Sequence, residues 1–338
     1  MIAWLQFIIC LLIIIFAGTR LSKYGDIIAE KTKLGRVWVG IVLLATVTSL
    51  PEVTTGISSV AIIHSPDLAI GDIFGAALIN LAIIAIIDVL YKKGPVLHFL
   101  GTGIVLATIL SVLLIATAAT FIILANNGIN PTILGWISIY TPILFCLFLI
   151  SQYILFSYKT KQSSINNEND KQEQYYASVS LKKTFLYFGI TSMIIVGAGI
   201  WLGFIGDQIA NSTGLKASFV GTLFLALSTT APEMVVSISA ARMGALEMAA
   251  ANVVGSNLFN FGVIIFLNDI FYNEGPILSS VSTGHVLTAL FALMMSSLVI
   301  IGIIFKPKTW LKSWVGIDTT LMAIIYISAL LALYFTVR

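Results

Sequence analysis

The chain has 338 residues, of which 58% are hydrophobic and only 10% charged, with a formal net charge of +3. Soluble globular domains carry about a quarter charged residues, and they lack repeated apolar runs of about 20 residues, the length that crosses a bilayer as a helix. Such runs fill this sequence and leave no room for a folded soluble domain, so the function is expected inside a membrane, with the lipid bilayer as a partner and no nucleic acid.

In chain order the apolar runs predict ten helices, at 2–20, 37–63, 69–91, 100–124, 133–158, 184–206, 217–241, 247–268, 284–305 and 315–337. The alternation of a closed β-barrel is absent, and helices are the other way to satisfy every backbone polar group in lipid. The first run lacks a basic leader and an Ala-x-Ala-like cleavage site, so it reads as a retained helix. Cys10 and Cys146 both lie in apolar runs and read as small buried hydrophobes. Basic residues alternate between the sides of these helices. One side holds 16 of the 18 Lys and Arg residues, and the other holds only Lys216 and Arg338. The positive-inside rule then puts both termini outside and the polar 159–183 stretch in the cytoplasm, in a plasma (cytoplasmic) membrane. That stretch reads as a flexible tether between a first half, 1–158, and a second half, 184–338.

The halves repeat one another. Gly25-Asp26 matches Gly206-Asp207, and Val39-Gly40 matches Val220-Gly221. Thr48-Ser49-Leu50-Pro51-Glu52 matches Thr229-Thr230-Ala231-Pro232-Glu233. Gly94-Pro95 matches Gly275-Pro276, and Thr102-Gly103 matches Thr283-Gly284. All of these are 181 residues apart. Gly75 to Asn80 matches Gly255 to Asn260 at 180. Five segments per half make equivalent segments cross the bilayer in opposite directions. Such an inverted repeat typifies secondary transporters with a midplane site.

Pro51 and Pro232 interrupt segments that would otherwise be helical. Each lacks an N–H and clashes with the carbonyl four residues back, Val47 or Ser228, and each biases its predecessor toward extended backbone. The helices should break near Thr48–Leu50 and Thr229–Ala231, where half-helix carbonyls can coordinate a cation. A glutamate follows each break, and an acid at mid-bilayer costs about 2.5–3.5 kcal/mol on insertion scales. Two neighbouring carboxylates repel, so a proton or a bridging cation must intervene. Asn80, Asn260 and Ser256 stand on the partner segments. Amide, hydroxyl, carbonyl and carboxylate oxygens make a hard site that suits Ca²⁺ or Na⁺ and not a soft metal. His64, His98 and His285 fall outside this pattern.

The Thr-Ser-Leu-Pro-Glu and Thr-Thr-Ala-Pro-Glu pair, with Gly-Ser-Asn-Leu-Phe-Asn in the second half, resembles the prokaryotic sodium/calcium exchangers of the cation/calcium antiporter superfamily. The resemblance implies an all-α membrane fold of ten transmembrane helices in two inverted five-helix repeats. Segments 2, 3, 7 and 8 would form the core, and segments 1 and 6 would slide across it. Glu52 and Glu233 would be shared Ca²⁺ and Na⁺ ligands. The carbonyls of Thr48 and Thr229 would help hold Ca²⁺. The Ala45 and Ala226 carbonyls, with Ser49, Thr230 and Ser256, would serve flanking Na⁺ sites, and Asn80 and Asn260 would complete the centre. Val47 and Ser228 depart from the family's glycine, and Ala76 replaces a serine. Asp72 replaces the asparagine of a Gly-Asn pair whose counterpart is Asn252, and its place near the helix start reads as an N-terminal cap, with a role in ion access as the alternative. Asn260 stands where some relatives have aspartate, which leaves a central charge of −2 from two glutamates.

The implied activity is exchange of Ca²⁺ for Na⁺ by alternating access, with Ca²⁺/H⁺ exchange or another pair such as Na⁺/H⁺ as the alternative. No cofactor is called for, the transported cations being the only ligands, and one copy suffices for transport. An intramembrane enzyme is disfavoured. Ala69-Ile70-Gly71-Asp72 is not the Gly-x-Gly-Asp of an aspartyl protease, and His-Glu-x-x-His is absent. A channel would need a continuous pore.

Overall fold

The structure, a computed structural model, describes residues 2–166, 176, 179–212, 225–306, 309–312 and 315–336. Helix α1 spans Ile2–Lys31, well past the expected end at residue 20. Hydropathy ends where the apolar run ends, whereas the Lys, Leu, Ala and Glu residues that follow are good helix formers and carry the helix on. Helix α2, Arg36–Thr48, contains a π-helical stretch at Gly40–Leu44, and α3 covers Leu50–Ala61. Then come α4 (Pro66–Leu90), α5 (Thr102–Asn126), α6 (Tyr140–Asn166) and α7 (Leu181–Ser212). Residues 225–229 are helical and lead to α8, Ala231–Arg242. Helix α9, Leu246–Phe271, carries a second π-helical stretch at Asn260–Ile264. Helices α10 (Gly284–Phe305) and α11 (Ile317–Thr336) complete the set.

Two small antiparallel hairpins modify the all-α expectation. β1 (Thr132–Leu134) pairs with β2 (Ile137–Ser138), and β3 (Thr309–Lys312) pairs with β4 (Val315–Gly316). The first falls at the start of the expected helix 133–158, and in the second only β4 falls at the start of 315–337, β3 lying ahead of it. In the first hairpin Pro131 lies just ahead of β1, and Gly135 takes the left-handed φ of +69° that a tight reversal requires.

Among the described residues seven helices are long and apolar enough to cross a membrane: α1, α4, α5, α6, α7, α9 and α10. The bent pair α2 and α3 makes an eighth if it is one span, and Ile317–Leu333 of α11 is a shorter apolar stretch. The expected segment 217–241 begins outside the described residues, as do Lys216, the Val220-Gly221 match and most of the 159–183 tether. Large apolar side chains such as Leu5, Leu12 and Phe16 on α1, Ile304 on α10 and Ile327 and Leu331 on α11 face outward. So broad an exposed apolar surface belongs in lipid, and the chain is a multi-pass membrane protein. Cys10 is buried as expected, but Cys146 is not: it lies on the exposed face of α6.

The interior divides in two. The main core gathers α4, α5, α9 and α10 with α2 and the inner part of α8. A separate cluster joins Cys10 and Ile14 of α1 to Ala198, Leu202 and Ile205 of α7. Ala231 at the start of α8 belongs to this cluster too, and farther along the same two helices Ala17, Leu21 and Ile28 of α1 and Phe188 and Ile195 of α7 join the main core.

Two buried aspartates lock the helix ends, and both escaped the sequence reading. Asp88 of α4 accepts from the Val96 N–H (2.5 Å), the Gly316 N–H (2.9 Å) and the Thr319 hydroxyl (2.6 Å). Asp269 of α9 accepts from the Ile277 N–H (2.9 Å), the Ser138 N–H (3.0 Å) and the Thr141 hydroxyl (2.5 Å). Both pairs, Asp88 with Asp269 and Val96 with Ile277, keep the 181-residue register. Each aspartate binds the turn after its own helix and the start of a helix from the other half of the chain.

Candidate cation site

The breaks fall within the expected stretches, but Leu50 and Ala231, expected to be extended ahead of the prolines, are the first helical residues instead. Ser49 (φ −89°, ψ 5°) separates α2 from α3, and the two helices meet at a 41° bend. Thr230 (φ −80°, ψ 0°) separates residues 225–229 from α8. In both places proline follows within the first two helical positions, where its missing N–H costs nothing. Glu52 and Glu233 then lie in the first turns of α3 and α8.

Helix α7 passes directly over both breaks. A Cβ on Gly199 would lie 3.5 Å from Pro232 Cγ and closer still to Pro51 Cγ. Glycine costs about 1 kcal/mol relative to alanine in a helix interior, and here only glycine leaves room for Pro51, while Pro232 lies at ordinary contact distance.

Both glutamates are buried, and Glu52 lies within electrostatic reach of Glu233. Glu233 Oε1 accepts from the Ser49 hydroxyl at 3.0 Å, a contact across the two halves, and from the Ser256 hydroxyl at 3.4 Å. Glu233 Oε2 and both oxygens of Glu52 accept no hydrogen bond from any described residue. Asn260 is buried with neither amide atom partnered among the described residues, and Asn80 keeps a free Oδ1 while its Nδ2 donates to Asn257 Oδ1 at 3.0 Å. Buried polar groups in native proteins are nearly always satisfied. So many unpaired oxygens around two carboxylates are chemically complete only with protons or hard cations among them.

Other expected ligands are engaged within the protein. The Ala45 carbonyl accepts from the Ser49 N–H at 3.0 Å and the Thr48 hydroxyl at 3.4 Å. The Ala226 carbonyl accepts from the Thr230 N–H at 3.0 Å, from the Thr229 hydroxyl at 3.3 Å and from the Thr230 hydroxyl. A cation there would have to compete with these donors, since a carbonyl oxygen offers two lone pairs. Thr230 thus spends its hydroxyl on its own helix, whereas its counterpart Ser49 reaches Glu233.

The reading of Asp72 as a cap is overturned. Helix α4 starts at Pro66 with Ser65 at the cap position, so Asp72 lies inside the helix, fully buried. Apolarity placed the start at 69 because Ser65-Pro66-Asp67 is polar, yet proline is a good first helical residue. Asp72 Oδ1 accepts from the Thr229 hydroxyl at 3.2 Å, and Asp72 also lies within electrostatic reach of Glu52. The surroundings of the two glutamates therefore include a third buried acid. In the other half the Thr48 hydroxyl donates to Asn252 Oδ1 at 3.3 Å. Gly71-Asp72 and its counterpart Ala251-Asn252 differ at both positions, which weakened that signal in the sequence.

A family profile described as sodium/calcium exchanger protein matches residues 2–157 and 183–335. The chain belongs to the sodium/calcium exchanger family. This exchanger is 24% identical to sodium/calcium exchanger MaX1 of Methanosarcina acetivorans, with 98% of this chain and 99% of that one covered. It is 23% identical to inner membrane protein YrbG of Escherichia coli over 90% of this chain and 88% of that one. A solved structure of the sodium-calcium exchanger NCX_Mj superposes with a TM-score of 0.72 at 18% identity, covering 98% of this chain and 99% of that one. The fold is thus the exchanger fold, and the family is one of membrane transporters of inorganic cations.

Proposed function

We propose that this exchanger carries Ca²⁺ in one direction and Na⁺ in the other by alternating access through a single central site built on Glu52 and Glu233. The observation that carries the reading is the pair itself: two buried glutamates, each directly after a proline-broken helix, with three of their four carboxylate oxygens unpartnered among the described residues. Ten spans in two inverted repeats, 1–158 and 184–338, belong to this reading, with 159–183 as a cytoplasmic tether and both termini outside a plasma membrane. The matched hydrogen bonds of Asp88 and Asp269 support it. The assembly is proposed to work as a single copy.

The electrostatics give the coupling. Two bare carboxylates are costly to carry through a closed, dehydrated intermediate. One Ca²⁺ neutralises them, as do two Na⁺ or two protons, so loaded forms interconvert and the bare form does not. Asn80, Asn260 and the carbonyls of Thr48 and Thr229 would complete the Ca²⁺ shell. Ser49, Ser256, Thr230 and the carbonyls of Ala45 and Ala226 would serve Na⁺. In this reading α1 and α7, which pack on one another through Cys10, Ile14, Ala198, Leu202 and Ile205, would slide together across the breaks, with Gly199 as the point of passage.

Proton coupling is the second reading, and Ala76 favours it: a buried methyl stands where the other half has the Ser256 hydroxyl beside Glu233. The deciding experiment loads purified protein into liposomes and follows radioactive Ca²⁺. Uptake driven by an imposed Na⁺ gradient and not by a pH gradient is expected. Uptake driven only by the pH gradient would replace Na⁺ with H⁺ as the counter-ion.

A further inference from the structure

The two halves treat one set of equivalent positions differently. In one half Thr48 donates to Asn252 Oδ1 at 3.3 Å, and Asn252 Nδ2 donates onward to the Ser237 hydroxyl at 3.0 Å. That chain is neutral, and the amide of Asn252 is used at both ends. The equivalent residues in the repeat register are Thr229, Asp72 and Gly56. Thr229 donates to Asp72 Oδ1 at 3.2 Å, but Gly56 has no hydroxyl to offer. Asp72 Oδ2 is consequently without a partner among the described residues, although the side chain is fully buried. The room left by Gly56 is taken by Asn268: a Cβ on Gly56 would lie 2.7 Å from both Oδ1 and Nδ2 of that amide. Neither of those two atoms has a described partner either.

Asp72 also has a definite side. On α4 it lies between Asn80 and the helix start, toward the turn that holds His64 and Ser65. Around that turn His64 pairs with Glu274 at 2.7 Å, and Asp67 accepts from His285 at 2.9 Å and from the Ser282 N–H at 2.7 Å. Asn252 lies between Ser256 and the start of α9, toward the opposite face, where Arg242 and Gly244 turn the chain. On the proposed topology the first face is external and the second cytoplasmic.

We propose that Asp72 is a one-sided cation-holding carboxylate on the external approach to the Glu52–Glu233 centre, so that a cation arriving from outside meets a carboxylate and one arriving from the cytoplasm meets the neutral Asn252. A buried carboxylate oxygen without a hydrogen bond is costly unless a proton or a cation compensates it, and a carboxylate oxygen is the ligand that Na⁺ and Ca²⁺ take. The inference rests on the proposed reading of the centre as the transport site. It adds an asymmetry that the two glutamates alone do not have.

Coulomb energy scales with ion charge, so the logarithm of the effect for Ca²⁺ is twice that for Na⁺. The test uses oriented proteoliposomes, with half-saturating Ca²⁺ and Na⁺ measured separately from each face for the wild type, Asp72→Asn and Asn252→Asp. Asp72→Asn is expected to raise the external half-saturating Ca²⁺ about tenfold and Na⁺ about threefold, with the cytoplasmic values unchanged. Asn252→Asp is expected to lower the cytoplasmic half-saturating Ca²⁺. No shift with Asp72→Asn, an equal shift on both faces, or equal factors for the two ions would overturn the proposal. If Asp72→Asn does not fold, Asn252→Asp decides alone, and an unchanged or raised cytoplasmic value overturns it. A wild type that carries no Ca²⁺ under any gradient refutes the reading of the centre and takes this inference with it. Failure in the variants of a working wild type counts against Asp72 alone.

Discussion

Replacing Asp88 with alanine strands the buried Val96 and Gly316 N–H groups, while the Thr319 hydroxyl keeps the Gly316 carbonyl at 2.9 Å as an acceptor. A buried donor left without an acceptor costs about 1–3 kcal/mol. The two backbone donors cannot turn away, so they alone put the loss at about 2–6 kcal/mol. Asp269→Ala strands the Ile277 and Ser138 N–H groups, with the Ser138 carbonyl at 3.5 Å left to the Thr141 hydroxyl, and should lose the same amount within about 1 kcal/mol. Denaturant unfolding of the detergent-purified variants, followed by intrinsic fluorescence, measures both losses. Loss in one variant without the other would mean that the two halves are not held by equivalent anchors. A loss below about 1 kcal/mol in both would mean that water satisfies these groups and the aspartates fasten nothing.

Ser49→Ala removes a hydroxyl donor to a carboxylate, an interaction worth about 1.5–3 kcal/mol, and should raise the half-saturating cation concentration about tenfold or more. Thr230→Val should do less, because the Thr230 hydroxyl serves the Ala226 carbonyl; equal effects in flux assays would contradict the asymmetry seen around Glu233. Gly199→Val drives a side chain into Pro51, and overpacking of about 1–3 kcal/mol should lower the thermal unfolding midpoint. Gly197→Val, two residues away with open space around its Cβ, should leave the midpoint unchanged, and a matching fall there would deny α7 its close passage over the breaks.

The breaks at Ser49 and Thr230 were legible in the sequence because they follow from the backbone of one residue type, proline, and need no tertiary information. The 181-residue register was legible for the same kind of reason, since it compares the chain only with itself. What the residues touch across the halves was not. The Ser49–Glu233 bond joins residues 184 apart, and no local pattern announces it. Asp72 was misplaced because apolarity marks where lipid begins, not where a helix begins, and α4 starts at the polar Ser65-Pro66-Asp67 corner. Asp88 and Asp269 could have been found from their 181-residue spacing. Their partners could not, because those lie in turns and hairpins that hydropathy merged into the neighbouring helices.

The central claim is that Glu52 and Glu233 together hold the transported cations. Glutamine at either position keeps the size and the burial of the side chain while removing its charge. Na⁺-driven uptake of radioactive Ca²⁺ into liposomes holding the wild type, Glu52→Gln or Glu233→Gln tests the claim most directly. The account predicts uptake by the wild type and none above protein-free liposomes for either variant, with both proteins folded by their unfolding midpoints. Near-normal uptake by either variant would contradict it.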